Sequence, residues 1–286
     1  MFTCTIENAF GTRVQLTNDE TNYQILSIGG LNPPKVQLNH STVAVLDGSR
    51  FNSARLNERN IVILLKLNGD VESNRLNMYQ LFALKHECKF YYKNEHRNVY
   101  IAGRVESIEC DYFTNKETMQ ISMICPFPYF KDIDIIVDDI SKVIKKFEFP
   151  FSIEYDEPEI FSEIEVDKIT DIFNMGESEC GIIINIDFIG SVNQMKIINT
   201  GNGETFTVNH GFISGDNLVI NTNKGEKSVV LTRNGAEINL FAKVARGSTF
   251  FNLNRGDNYF SYEADNGDHD QNVSIVYKHY TIYGGV

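Results

Sequence analysis

The chain has 286 residues, 42% of them hydrophobic, with a formal net charge of −12 at pH 7; that length is about two domains of ~150 residues each. No apolar stretch approaches the ~20 residues that span a bilayer, the longest run being Ile61–Leu65, so a membrane-spanning helix is excluded. The basic residues form no patch, which argues against nucleic acid as a partner.

The N-terminus, Met1–Arg13, lacks the basic and apolar regions of a secretory leader, and the expectation is folding in a cytosol. Five cysteines at 4, 88, 110, 125 and 180 are odd in number and show no C-x-x-C spacing. They read as reduced, buried thiols.

Local pattern is mainly β. Val43–Leu46, Ile61–Leu67, Lys89–Tyr92, Val99–Val105, Ile108–Tyr112 and Met119–Ile124 are rich in β-branched and aromatic residues. Turn signals stand between several of them, at Asp47-Gly48, Asn68-Gly69, Asn94-Glu95 and Asn115-Lys116. From Ser73 to Lys85 the spacing of Leu76, Tyr79, Phe82 and Ala83 predicts one amphipathic helix on a sheet, with Ser73 as its N-cap.

Ile121–Phe130, I-S-M-I-C-P-F-P-Y-F, is a strand that Pro126 and Pro128 end, since proline cannot continue a hydrogen-bonded ladder. A second strand opens at F-E-F-P-F, with Phe147, Phe149 and Pro150. Charge divides at the same place. Residues 1–130 hold 13 basic and 13 acidic side chains, which leaves 13 of the 26 basic and 25 of the 38 acidic ones downstream. The expectation is a first domain over 1–130, a connecting segment over 131–146 with a short helix at Asp138–Lys146, and a second domain over 147–286. Pro126, Pro128, Phe147, Phe149 and Pro150 then mark the junction. Glycine turns at steady intervals from Gly176 to Gly267 suggest a β-sandwich or jelly roll downstream.

Motifs for chemistry are weak. Six histidines are scattered without H-E-x-x-H or an i, i+4 pair. Gly211–Gly215, G-F-I-S-G, misplaces the serine of a nucleophile elbow, and G-N-G-E-T-F at 201–206 opens no helix. Asp265–Asp270 packs oxygen ligands but misplaces the glycine of a calcium loop. The acids at Glu154–Glu165 read as a solvated face. No catalytic residue, metal ligand or cofactor is assigned.

The order of several short motifs along the chain resembles the distal tail protein (Dit) family of long-tailed bacteriophages and related tail-like particles. Upstream they are Tyr23, Gly30-Leu31-Asn32-Pro33-Pro34, Asp47-Gly48 with Phe51, Arg59-Asn60-Ile61, Arg75 with Tyr79-Gln80-Leu81-Phe82, Gly103-Arg104-Val105 and Cys125–Phe130. Downstream they are Phe147–Phe151, Asn174-Met175-Gly176, Gly215–Ile220, Phe250–Asn258 and Tyr277–Val286.

The resemblance implies two β-sandwich domains, the first tail-tube-like with one α-helix and a β-hairpin arm, the second galectin-like. It implies a non-enzymatic, hexameric ring at the tail tip, made in the host bacterial cytoplasm. That ring would join the tail tube protein to the tail-tip hub or tail-associated lysin and would anchor receptor-binding proteins. Within that reading, Val36–Leu46 and Ile61–Leu67 are expected to form the arm, and Pro33, Pro34, Asp47, Gly48 and Arg59 the ring interface, with Arg59 reaching a neighbour's carboxylate or carbonyl. The alternative is a lectin-like adhesion protein binding sugar or adhesin through Tyr259, Phe260 and Tyr262.

Overall fold

A computed structural model describes residues 2–16, 22–42, 44, 47–111, 117–139, 141–145, 162–166, 169–264 and 273–286. The chain forms two compact units, Met1–Ile133 together with Ile282–Val286, and Asp134–Thr281. The last five residues therefore belong to the first unit, whereas the sequence reading gave everything after 147 to the second. Phe147, Phe149 and Pro150 lie outside the described residues, as does the segment 265–270.

The first unit contains β1 (Thr3–Asn8), β2 (Arg13–Gln15), β3 (Tyr23–Gly29), β4 (Val36–Thr42), β5 (Ser49–Leu56), β6 (Arg59–Leu67), α1 (Val71–Leu81), β7 (Glu87–Lys93), β8 (Asn98–Cys110), β9 (Thr118–Cys125) and the start of β10 (Phe130–Asp139). One sheet runs β2-β1-β7-β8 and the other β3-β6-β9-β8. β8 serves both. Its first half pairs with β7 and its second with β9, with the register shifting between Val105 and Ser107. Val99–Val105 and the described strand residues of Ile108–Tyr112, which end at Cys110, were expected as two strands and are thus one strand bent at a bulge, a device that turns a strand from one sheet to the next.

Strict alternation makes β6 a core strand. Arg59, Ile61, Ile63, Leu65 and Leu67 all point inward, against Met119, Ile121, Met123 and Cys125 of β9. Cys4, Cys88, Cys125 and Cys180 are buried thiols outside any disulfide, their pKa pushed up to about 11 for Cys88 and about 12 for the other three by burial. α1 begins one turn earlier than its apolar spacing suggests. Asp70 is the N-cap, accepting from the Ser73 amide at 3.3 Å and the Ser73 hydroxyl at 2.8 Å. The buried face is Asn74, Met78, Leu81 and Phe82, while Leu76 faces solvent. Asn74 is affordable inside because its amide donates to Asn68 O at 2.8 Å.

The second unit continues β10 and contains β11 (Ser141–Lys145), β12 (Ser162–Val166), β13 (Thr170–Asn174), β14 (Cys180–Phe188), β15 (Met195–Asn199), β16 (Thr205–Val208), β17 (Asn217–Asn221), β18 (Ser228–Arg233), β19 (Ala236–Asn239), β20 (Asn252–Leu253), β21 (Gly256–Ala264) and most of β22 (Val273–Tyr283). Sheets β19-β18-β17-β14-β22 and β13-β21-β15-β16 make a β-sandwich. Ile182, Ile184, Ile186, Leu218, Ile220 and Tyr277 from one sheet and Ile172, Ile197, Phe206 and Phe260 from the other are buried between them. Asp216 holds a turn at the edge of this core. Arg233 donates to Asp216 Oδ1 at 2.8 Å and keeps the Asp216 carboxyl below its ordinary range.

The helix expected at Asp138–Lys146 is absent from its described residues. β10 runs through Asp139, and Ser141–Lys145 pairs with β12, Val143 opposite Ile164. Ile140, Val143, Ile144 and Phe147 do recur at helical spacing, but β-branched side chains lose rotamer freedom in a helix and suit a strand.

Candidate functional site: the arm and its anchor

β4 and β5 form a two-stranded sheet by themselves, with every residue of β4 exposed. The arm is therefore β4 with β5, and Ile61–Leu67, expected as part of it, is instead the core strand β6. Register gives the arm two unlike faces. Val36 pairs with Leu56, Leu38 with Ala54 and His40 with Phe51, which places six largely apolar side chains on one face. The His40 and Phe51 rings meet edge to face at 6.2 Å. The opposite face is polar and internally bonded: Arg55 Nε donates to Gln37 at 3.0 Å, Asn39 Nδ2 to Ser53 at 2.9 Å and Ser41 Oγ to Asn52 at 3.3 Å. Leu38 is 52% and Phe51 57% exposed. A lone two-stranded ribbon is marginal in water, and an apolar face on it is unstable until covered.

Asp47 and Gly48 lie at the far end of the arm, just before β5, and both are exposed. Gly48 has φ +93°, a left-handed conformation that glycine adopts without strain. Pro33 and Pro34 sit in the segment leading into β4, Pro33 exposed and Pro34 half-buried.

Arg59 differs from its expected role. It is buried, and its guanidinium donates to Pro128 O at 2.7 Å, Asn32 O at 2.9 Å, and to the carbonyls of Gly30 and Gly284. Its planar head lies 4.7 Å from the centroid of the Phe130 ring. Burial pulls its pKa down from the usual arginine value, yet guanidinium stays charged, held by carbonyl dipoles and an aromatic face. Arg59 is thus the anchor of the arm's base within its own chain, and not an outward contact. It ties the segment before β4, the proline turn after β9 and the C-terminal tail to the start of β6. Val286 N adds a bond to Leu31 O at 3.1 Å, and Gly285 lies so close to Pro33 that an added Cβ would sit 2.8 Å from its Cδ.

Pro126 is exposed and Pro128 half-buried in the turn after β9, where the Pro128 carbonyl is one of the Arg59 acceptors. In the second unit, alternation separates the three aromatics of β21. Tyr259 faces out, 42% exposed, Phe260 is fully buried against Phe251 and Tyr277, and Tyr262 is half-buried on the same side as Phe260. They form no shared platform. The outward neighbours of Tyr259 are Asp171, directly opposite, and Phe173, opposite Asp257. Sequence reasoning missed Phe173, and it gave Phe130 and Gly284 no role beyond their place in the Cys125–Phe130 and Tyr277–Val286 motifs.

Among the described residues, two β-sandwich units, the first bearing one helix and a separate two-stranded arm, define a modular β protein. Residues 175–280 match the family described as siphovirus-type tail component, C-terminal domain. The crystal structure of SPP1 Dit, described as a paradigm of hub adsorption apparatus in phages infecting Gram-positive hosts, is similar with a TM-score of 0.68 at 14% identity, over 97% of this chain and 98% of that one. The phage P2 baseplate in its activated conformation with Ca is similar with a TM-score of 0.55 at 13% identity, over 98% of both chains. No curated protein matches the sequence. The chain as a whole has the fold of SPP1 Dit.

Proposed function

We propose that this chain is a distal tail, or baseplate hub, subunit that assembles as a hexameric ring joining the tail tube protein to the tail-tip hub or tail-associated lysin. The observation that carries this reading is the amphipathic arm, whose apolar face is uncovered in the chain that bears it. The second unit, on the acidic side of the sequence, serves as the platform for receptor-binding proteins, and Pro126 and Pro128 set the turn from which the chain leaves the first unit. The role is structural and asks for no catalytic group, metal or cofactor. The protein is made in the host bacterial cytoplasm and acts at the tail tip of a phage or tail-like particle.

Native mass measurement on the purified full chain tests this. A six-fold mass with ring-shaped particles by electron microscopy is expected, and a monomer at every concentration tried overturns it.

A second reading, sugar binding by the second unit, draws on Tyr259 and Phe173, two outward aromatics on adjacent strands with Asp171 and Asp257 between them. Titration calorimetry with host wall polysaccharide should give heat that Tyr259→Ala abolishes. Absence of heat removes that reading and leaves the ring untouched.

A further inference from the structure

We propose that the outward face of the sheet β2-β1-β7-β8 carries a pocket for a phosphate group, held by Lys93, Arg13 and the side chains of Thr3, Thr5 and Asn98. The site lies in the first unit and does not depend on the ring reading above.

Strand register builds the pocket. Thr3 and Thr5 are two apart on β1 and so point the same way. Thr3 lies opposite Lys93 and Thr5 opposite Tyr91 on β7, and Lys93 in turn lies opposite Asn98 on β8. Cys4 and Val99, next to them in the chain, are buried in the core, so this row is the outward one. Arg13 joins it from β2 and Ile133 from β10, and these side chains line a hollow of about 180 Å³. That is small beside the several hundred Å³ of a cofactor pocket and suits one compact group.

The lining decides the charge of the occupant, because it contains two cations and no carboxylate. Among the described residues, the hydroxyls of Thr3 and Thr5, the side-chain amide of Asn98 and the ammonium of Lys93 have no hydrogen-bond or ion-pair partner within the chain. One such donor on a sheet surface is ordinary, since water serves it. Several that converge on one hollow can all be accepted by a single oxyanion, and bonds from a cation to an oxyanion are the stronger kind.

Arg13 is held ready beside them. Its Nε donates to Glu7 Oε2 at 2.5 Å, Tyr91 OH donates to the same oxygen at 2.9 Å, and the guanidinium lies 5.1 Å from the centre of the Tyr91 ring. These contacts use Nε and, at 3.5 Å to the Tyr91 hydroxyl, Nη2, which leaves Nη1 for a ligand. Glu7 balances part of the Arg13 charge, whereas Lys93 has no such balance. Donors reach the hollow from four strands, an arrangement that fits the tetrahedral oxygens of phosphate better than a flat carboxylate. Ile133, 41% exposed, and the Tyr91 ring supply an apolar wall against which the organic part of a phosphate ester would rest.

The test is protection of Lys93 in the full chain from acetylation by a succinimidyl ester, read by peptide mass spectrometry. Exposed Lys224, in the second unit, is the internal reference. Inorganic phosphate and glycerol phosphate are each compared with sodium chloride at equal ionic strength. Phosphate well above its dissociation constant should slow labelling of Lys93 by about fivefold or more and leave Lys224 unchanged. Thr5→Val keeps the branched shape on the strand but loses the hydroxyl, so about tenfold more phosphate should be needed for the same protection. Stronger protection by glycerol phosphate identifies an ester as the ligand, and equal protection identifies the free ion. Lys93 labelled as fast in both phosphates as in chloride overturns the site. Protection that Thr5→Val leaves unchanged also overturns it, because that is attraction to one surface lysine and not a pocket.

Discussion

The guanidinium of Arg59 donates to the backbone carbonyl of Gly284, 225 residues further along the chain. Three more carbonyls and the face of Phe130 complete its surroundings. One planar cation does what several separate side chains would otherwise do: it bonds backbone acceptors from three separate segments. Lysine sets three donors on one ammonium against four carbonyls and has no flat face, so Arg59→Lys should leave at least one carbonyl without a donor and cost about 3 kcal/mol. Urea unfolding checks the loss. Hydrogen exchange should also quicken at residues 30–32 and in the C-terminal tail, and unchanged exchange there would refute the anchoring role.

The arm should behave in the opposite way, contributing to assembly and not to the stability of its own unit. Leu38→Ser combined with Phe51→Ser removes apolar surface that water already touches, so the unfolding free energy should move by less than about 1 kcal/mol. Light scattering should nevertheless report a large fall in the six-fold species. Two serines on the polar face, at Gln37 and Arg55, should leave the mass as it was. Equal effects from both pairs would mean that the arm has no preferred face.

Much of this was legible in the residues. Richness in β-branched and aromatic residues located β6, β7 and β9, and alternation along β6 places Arg59 on the inward face with Ile61 and Ile63. Treating that arginine as a surface contact ignored its phase in the strand. Phase also forbids Tyr259 and Phe260 from sharing a face, since consecutive strand residues point opposite ways. The strand at Ser141–Lys145 was harder, because its partner at Ser162–Val166 lies beyond the reach of local pattern. The bond from Arg59 to Gly284 left no local trace at all.

Gly103 tests how tightly the two sheets of the first unit are packed. It sits on β8 opposite Cys88, and a Cβ there would stand 2.7 Å from Cys125 Sγ, 2.7 Å from Ile124 O and 2.9 Å from Met123 Cγ. A backbone oxygen in a paired strand has nowhere to retreat. Gly103→Ala should therefore destabilise the first unit by about 1–3 kcal/mol through overpacking, although alanine suits a strand backbone as well as glycine does. Differential scanning calorimetry should register the lowered transition, and a variant as stable as the parent would show that the sheets have slack at this point.

The second unit should weaken in mild acid, and His279 is the reason. Its side chain is fully buried in β22, its Nδ1 lies 4.0 Å from Asp138 Oδ2, and among the described residues neither ring nitrogen makes a hydrogen bond of good geometry. Burial pulls the imidazole pKa below the ordinary 6.5, against smaller upward pulls from Asp138 and from the Phe173 backbone. Below about pH 6.5 the unfolded chain therefore binds a proton that the folded chain refuses, so stability is complete above that pH and declines as pH falls beneath it. Asp138 works the other way. Its carboxyl is raised by burial, so the folded state gains a proton on acidification, but this group is about one-third exposed and its effect is screened. Asp216 acts lower still. Arg233 depresses its carboxyl, and the stability it provides is kept above the ordinary aspartate value and lost only as pH falls through its folded value. His279→Phe should remove the first of these losses, giving similar denaturation midpoints at about pH 7.5 and about pH 5.5 where the parent shows a clear fall. A parent protein whose midpoint is the same at both pH values, with His279 intact, would show that the imidazole does find a partner for its proton.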